Sequence, residues 1–271
     1  MSADRIREEA TRAYDNAAAV PGAQAWLEAF RARGQDVLRS TPVQRDLAYG
    51  SLPRQRYDWL PARGADAAQA PLLVYVHGGY WQSRAKEDFT AIAEGPLDQG
   101  LQVVLAGYTL APQASLPDIV AEIDALLGHL RAQPRWAAVP LVLAGHSAGG
   151  HLACMLRARG GIQGVLGISG IYDLGPIAQG ALNDKLGLDD AQLLRCSPLR
   201  HLGPGAPTVL AWGEAELPAL QRQSRDYADA LQRAGEDARA LALRGRNHFD
   251  ILEEFDTGGQ LLLQALRLAG R

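Results

Sequence analysis

Six short apolar runs, separated by longer helix-forming stretches, set the strongest limit on what this chain can fold into. The runs are LLVYVHGG (72–79), LQVVLAGY (101–108), LVLAGHS (141–147), IQGVLGISG (162–170), PTVLAWG (207–213) and ARALALRG (238–245). Most of them stop at glycine or a small polar residue. Helix formers dominate 86–98, 117–132, 148–159, 218–234 and 250–270. Strands that are apolar throughout, rather than at alternate positions, are buried on both faces. Helices between them then cover both sides of a mostly parallel sheet. Sheets of this kind carry their sites at the carboxyl ends of the strands, so chemistry is to be sought where the runs stop.

The remainder of the chain fits around that frame. Residues 43–50 and 54–60 alternate polar and apolar, which predicts an antiparallel hairpin at a sheet edge. The first forty residues read as helices broken at Pro21-Gly22. ARGADAAQA (62–70) reads as a small-residue loop. Residues 171–206 hold several Gly and Pro and only short helical pieces. Long excursions of this type form pocket walls. We therefore expect a single domain over 1–271, with residues of about 1–40 and the 171–206 excursion as its small cap.

Composition excludes several function classes. At 47% hydrophobic and 21% charged, the chain can bury a core and is not disordered. A net charge of −3 gives no basic face for nucleic acid. The two cysteines, Cys154 and Cys196, make no disulfide framework. The opening residues are charged from residue 4 onward and lack an apolar segment of a secretory signal. No apolar run is long enough to span a bilayer. The expectation is a cytoplasmic protein with no membrane or nucleic-acid partner. No HxxxH or CxxC spacing calls for a metal, and no cofactor is expected.

Gly145-His146-Ser147-Ala148-Gly149 lies directly after one apolar run and directly before a helix. A serine on a sharp strand-to-helix turn has its hydroxyl exposed, and glycines are needed beside it because side chains would clash. The following helix aims its amino-terminal N–H groups at developing negative charge. Ser147 is thus the candidate nucleophile. The pentapeptide by itself is common, and the strand–turn–helix context carries the argument.

His77-Gly78-Gly79 ends an earlier run. A tetrahedral intermediate needs preorganised N–H donors. Gly79, Tyr80 and Ala148 are the candidates for that oxyanion hole, with His77 bracing the turn. Among the six histidines, His146 occupies the variable position of the elbow, His151 reads as packed, and His129 and His201 lie away from the motifs. His248 follows the last apolar run and is the candidate base. The chain order serine, acid, histidine suits it as last member. The acid should follow PTVLAWG, where Glu214 and Glu216 compete. Glu216 stands three positions after the closing glycine, which favours it; Glu214 reads as a solvated charge. The arrangement is that of a serine hydrolase with an α/β-hydrolase fold.

HGGYW, Lys86, GHSAGGHLA, SGIYDL, Ser197-Pro198, RQS (222–224) and NHFDIL together resemble the kynurenine formamidase (arylformamidase) branch of the α/β-hydrolases, over roughly residues 72 to 252. The resemblance implies Ser147 as nucleophile, His248 as base and Glu216 as acid, with the amides of Gly79, Tyr80 and Ala148 as oxyanion donors. It further implies hydrolysis of N-formyl-L-kynurenine to kynurenine and formate in tryptophan breakdown. The family usually has Asp at the acid position followed by Pro-Glu-Phe; here Glu216 is followed by Leu217, Pro218, Ala219 and Leu220.

An aromatic leaving group asks for an aromatic-lined cavity. Tyr80, Trp81, Tyr172 and Phe249 lie beside the motifs, although Trp81 serves equally as a packing residue and Phe249 reads better as one. Asp173 reads as a turn cap. Lys86, Arg84 and Arg246 are unranked candidates for binding the substrate carboxylate. A general short-acyl carboxylesterase using the same triad is the alternative reading, and a non-catalytic binding protein is a third. A small aromatic molecule is the expected partner, and the sequence leaves room for a homodimer.

Overall fold

The computed structural model describes residues 2–64 and 69–271; residues 65–68 of the 62–70 loop lie outside the described residues. Among the described residues eight strands form one sheet. They are β1 (Gln44–Ala48), β2 (Arg56–Leu60), β3 (Leu72–Val76), β4 (Gln102–Ala106), β5 (Leu141–His146), β6 (Gly164–Ile168), β7 (Thr208–Gly213) and β8 (Ala238–Leu243), in the order β1-β2-β4-β3-β5-β6-β7-β8. From β4 to β8 all neighbours are parallel. β1 and β2 form the expected antiparallel edge, with β2 also antiparallel to β4. This is the α/β-hydrolase fold, with helices on both faces.

The unbroken run of apolar residues in each of β3 to β7 divides between two cores. Leu72, Val74 and Val76 point into one layer, packed under helices Leu116–Ala132, Ala148–Met155 and Pro218–Arg233. Leu73 and Tyr75 point into the other, with Phe30, Val37, Phe255 and Leu261. Both faces of β3 are buried throughout, which is why its sequence shows no alternation. Helix Leu116–Ala132 begins at a capping box in which Ser115 and Asp118 satisfy each other's backbone N–H groups.

Two predicted helices differ in detail. Residues 250–270 form a 3₁₀ helix Asp250–Phe255 and an α-helix Gln260–Leu268, not one continuous helix. A Cβ on Gly259 would lie 2.3 Å from the carbonyl oxygen of Glu254, and Gly258 has φ +86°, so the chain must turn between them. Residues 86–98 form a 3₁₀ helix Lys86–Ala93, kinked at Phe89, and a short α-helix Glu94–Asp98.

The amino-terminal helices Ala3–Ala13, Asn16–Ala19 and Ala23–Ser40 break at Gly22, φ +81°, as the Pro-Gly pair requires. The first of them meets the 171–206 excursion. Arg7 pairs with Asp184 at 2.6 Å, and Thr11 Oγ1 accepts from the Ala181 N–H at 2.9 Å. Among the described residues no helix is long and apolar enough to cross a membrane.

Candidate active site

Strand register brings the motifs together. Val76 is paired with Gly145, and His146 with Ile168. The turns that leave β3, β5 and β6 therefore start at one level on the carboxyl edge. Ser147 sits on the sharpest of them, with φ 56° and ψ −119°, at the N-cap of helix Ala148–Met155. Its N–H donates to the Ile168 carbonyl at 2.8 Å, tying the turn to β6. The flanking glycines are obligatory. A Cβ on Gly145 would lie 2.1 Å from the Gly149 oxygen, and one on Gly149 would lie 2.0 Å from the Val76 oxygen. Such backbone conformations cost energy and persist only where the surroundings impose them.

The HGG turn packs against this elbow. A Cβ on Gly78 would stand 3.0 Å from the Cβ of Ser147. Gly79, Tyr80 and Trp81 follow with φ of 115°, 52° and 59°. Among the described residues no acceptor faces the N–H groups of Gly79, Tyr80 and Ala148, which leaves all three available beside Ser147. His77 braces the turn: its Nδ1 donates to the Gly78 carbonyl at 2.7 Å and its ring stacks on Tyr108 at 4.3 Å. Burial lowers its pKa to about 4, so it is neutral.

Glu216, not Glu214, reaches the imidazole of His248. Glu216 Oε2 accepts from His248 Nδ1 at 3.0 Å. Oε1 accepts from Ser169 Oγ and from the Gly213 N–H, each at 2.6 Å. Glu214 is exposed. With Nδ1 donating to a carboxylate, the lone pair of His248 is on Nε2. Ser147 and His248 line the same cavity of about 160 Å³, together with Trp26, Tyr80, Phe89, His146, Phe249 and other residues. A larger cavity of about 330 Å³ lies between the first helix and helix Pro218–Arg233, lined by Tyr14, Asp173 and Arg222 among others and away from Ser147. Size alone would have pointed to the wrong place.

A serine elbow, an imidazole on a buried carboxylate and three free amides describe an acyl-transfer hydrolase. Comparison with known proteins narrows it. A family model named BD-FAE matches residues 59–172. A kynurenine formamidase of Danio rerio is 29% identical over 258 residues, covering 90% of this chain and 87% of the relative. A kynurenine formamidase of Salmo salar is 32% identical over 72% of this chain and 71% of the relative. The chain belongs to the kynurenine formamidase family. Among solved structures, a Silicibacter protein assigned as a thioesterase superposes with a TM-score of 0.82 at 29% identity, over 93% of this chain and 97% of that one.

Several motifs that this kynurenine formamidase family member carries turn out to position backbone. Gln223, within RQS, accepts at Oε1 from the N–H groups of Tyr172 and Asp173, at 2.8 and 2.7 Å. It donates through Nε2 to the Asp173 carbonyl and the Tyr14 hydroxyl. Ser197 Oγ accepts from the Leu174 N–H at 3.1 Å. Asp173 caps its own turn at the Gly175 N–H, as expected.

Two predicted cavity residues are corrected. Trp81 and Tyr172 are fully buried and do not line the cavity. Trp81 packs edge-on against His151 at 5.0 Å, and Tyr172 stacks on Tyr227 at 4.7 Å. Tyr80 and Phe249 do line the cavity; Trp26 and Phe89 join them. The Tyr80 hydroxyl donates to the Tyr14 carbonyl and accepts from Asn16 Nδ2 at 2.6 Å.

The cations also separate. Lys86 is buried against Asp58 at 2.9 Å, Asp46 at 2.8 Å and Glu87. Arg246 is held by Glu253 and Glu254 at 3.0 and 2.7 Å. Arg84 lines the cavity.

Sequence reasoning missed two supporting residues. Ser169 orients Glu216 from a left-handed conformation, φ 49°. His146 donates from Nε2 to the His248 carbonyl at 2.9 Å, so the elbow's variable position ties down the histidine loop. Burial, then the neighbouring His248, push the His146 pKa well down, which keeps it uncharged beside the second ring. Nothing in the local sequence marks either role.

Proposed function

We propose that the chain hydrolyses the formyl amide of an N-formyl arylamine, with N-formyl-L-kynurenine as substrate and L-kynurenine and formate as products. The carrying observation is that His248, held by Glu216, lines the same aromatic-walled cavity as Ser147, in a chain with formamidase relatives over most of its length.

In this reading Ser147 Oγ attacks the formyl carbon while His248 Nε2 takes its proton. The N–H groups of Gly79, Tyr80 and Ala148 hold the oxyanion. Collapse breaks the C–N bond, and His248 returns the proton to the departing aryl amine. Water, deprotonated by His248, then attacks the formyl–serine ester and releases formate. Glu216 holds the imidazole tautomer and stabilises the imidazolium. A formyl group needs almost no acyl pocket, and Trp26, Tyr80, Phe89 and Phe249 suit the aromatic leaving group. The amino-terminal helices and the 171–206 excursion serve as the cap, since Tyr14 and Asn16 fasten Tyr80 beside the site.

The resemblance to a protein assigned as a thioesterase supports a second reading, short-acyl ester hydrolysis by the same residues. The two separate in kcat/KM. The formamidase reading expects N-formyl-L-kynurenine to be cleaved far better than p-nitrophenyl acetate. The reverse order overturns it. Loss of both activities in Ser147→Ala, by roughly 10⁴ in kcat, is expected under either.

A further inference from the structure

We propose that Arg84 is a specificity-determining residue that binds an anionic group on the leaving side of the substrate. This deepens the formamidase reading and rests on it: in that substrate the anion is the carboxylate of the amino-acid side chain.

Three observations carry the assignment. First, among the described residues Arg84 is the one formally charged side chain that lines the cavity; the rest are apolar, aromatic, small or neutral polar, together with Ser147 and two histidines. Secondly, among the described residues its guanidinium has no hydrogen-bond or ion-pair partner. The nearest acids in sequence are engaged elsewhere: Glu87 on Lys86, Asp88 on Arg31 at 2.8 Å and on the Ala85 N–H at 3.1 Å. A half-buried arginine with an unpaired guanidinium gains most from a planar carboxylate that it can grip at two points. Thirdly, its backbone is fixed. Arg54 donates to the Arg84 carbonyl at 2.7 Å and to the Tyr108 carbonyl at 2.8 Å. Arg84 itself is held at φ 74°. Its stem runs over the oxyanion turn, its Cγ lying 2.8 Å from where a Cβ on Gly79 would stand. The Ser83 carbonyl oxygen, 2.2 Å from the same point, requires position 79 to lack a side chain.

Among the described residues the lining holds no carboxylate to match the substrate's ammonium. Recognition should therefore depend on the acid group and little on the amine.

The test uses three formamides: N-formyl-L-kynurenine, its deaminated analogue 4-(2-formamidophenyl)-4-oxobutanoate, and neutral 2-formamidoacetophenone. Wild type should favour both acids over the neutral compound. In Arg84→Gln the acid-to-neutral ratio of kcat/KM should fall at least 10-fold, mainly through KM, and Arg84→Lys should restore part of it. An acid-to-neutral ratio in Arg84→Gln equal to that of wild type overturns the proposal, whether both rates fall together or neither does. If Arg84→Gln does not fold, Arg84→Met, which also removes the charge, is read in its place, and an acid-to-neutral ratio equal to that of wild type overturns the proposal equally. If wild type cleaves none of the three, the formamidase reading itself fails. The charge preference is then read from 3-(2-acetoxyphenyl)propanoate against phenyl acetate, with the same expected and overturning ratios.

Discussion

Ser169 Oγ donates a 2.6 Å hydrogen bond to Oε1 of Glu216, the carboxylate oxygen that His248 leaves free. The Gly213 N–H meets the same oxygen at 2.6 Å. The carboxylate is thereby fixed in rotation, so that Oε2 faces the imidazole. Hydrogen bonds to charged groups contribute about 1.5–3 kcal/mol. Ser169→Ala should therefore lower kcat roughly 10-fold, with Gly213 keeping the carboxylate partly oriented. Glu216→Gln should cost more, and Glu214→Gln should have little effect, because that side chain is exposed. Steady-state rates at saturating substrate decide the order. A Ser169→Ala enzyme as active as Glu214→Gln would show that the carboxylate needs no such support.

The elbow glycines make a second prediction. In Gly149→Ala the new methyl would stand 2.0 Å from the Val76 oxygen, and in Gly145→Ala 2.1 Å from that of Gly149. Both obstacles are backbone within the central sheet and its helix, so neither can move aside cheaply. Each variant should lose most of its soluble yield or melt well below wild type. Gly203→Ala, where no atom lies within 4 Å of the added methyl, serves as the control. A Gly149→Ala protein with unchanged melting temperature would mean that the elbow is looser than its geometry requires.

How much of this was legible beforehand follows from what sequence encodes directly. Doubly buried strands advertise themselves by unbroken apolar runs, so β3 to β7 and their termini were readable. The spacing from Gly213 separated Glu216 from Glu214 because a tight turn leaves only certain positions pointing back over the sheet. Side-chain direction in irregular backbone was not readable. Tyr80 and Trp81 are adjacent and both left-handed, yet one lines the cavity and the other is buried against His151. Ser169 and His146 were hidden for another reason: their partners, Glu216 and His248, are far away in the chain. Trp26 and Phe89 reach the cavity from helices whose sequence shows only amphipathic packing.

Lys86 illustrates the same limit and gives a third prediction. Its position after HGGYW made it a candidate for binding substrate, yet it is 4% exposed and surrounded by Asp46, Asp58 and Glu87. Asp58 is itself 1% exposed and also accepts from the Asp46 N–H at 2.8 Å. Removing the ammonium leaves a buried carboxylate without its counter-charge, which typically costs about 3–5 kcal/mol. Lys86→Met should lower the unfolding free energy measured in urea by that amount. The double variant Lys86→Met with Asp58→Asn should recover part of the loss. KM for substrate in whatever folded protein remains should stay near wild type. A large rise in KM without loss of stability would return Lys86 to the substrate site.

The buried histidines predict how stability depends on pH. His77 donates to the Gly78 carbonyl and His151, through Nε2, to the Cys196 carbonyl at 2.6 Å. Both are fully buried, and desolvation lowers each pKa to about 4. His146 is shifted in the same direction. In the unfolded chain all three titrate near the ordinary value of about 6.5. Between those limits the unfolded state binds more protons than the folded one, so stability rises with pH in that interval and falls as acid is added. Above pH of about 6.5 neither state is protonated at these sites and their contribution is complete. As pH drops from there toward about 4, His77 and His151 should each remove about 3 kcal/mol. Urea unfolding at a series of pH values between neutrality and 4.5 measures the slope. His151→Gln, whose amide can still donate toward Cys196, should be less stable at neutral pH but distinctly flatter with pH. The slope thus reads the titration separately from any packing defect. A wild-type stability that stays level down to pH 5, or a His151→Gln slope as steep as the parent's, would mean that these rings are solvated enough to accept protons within the fold.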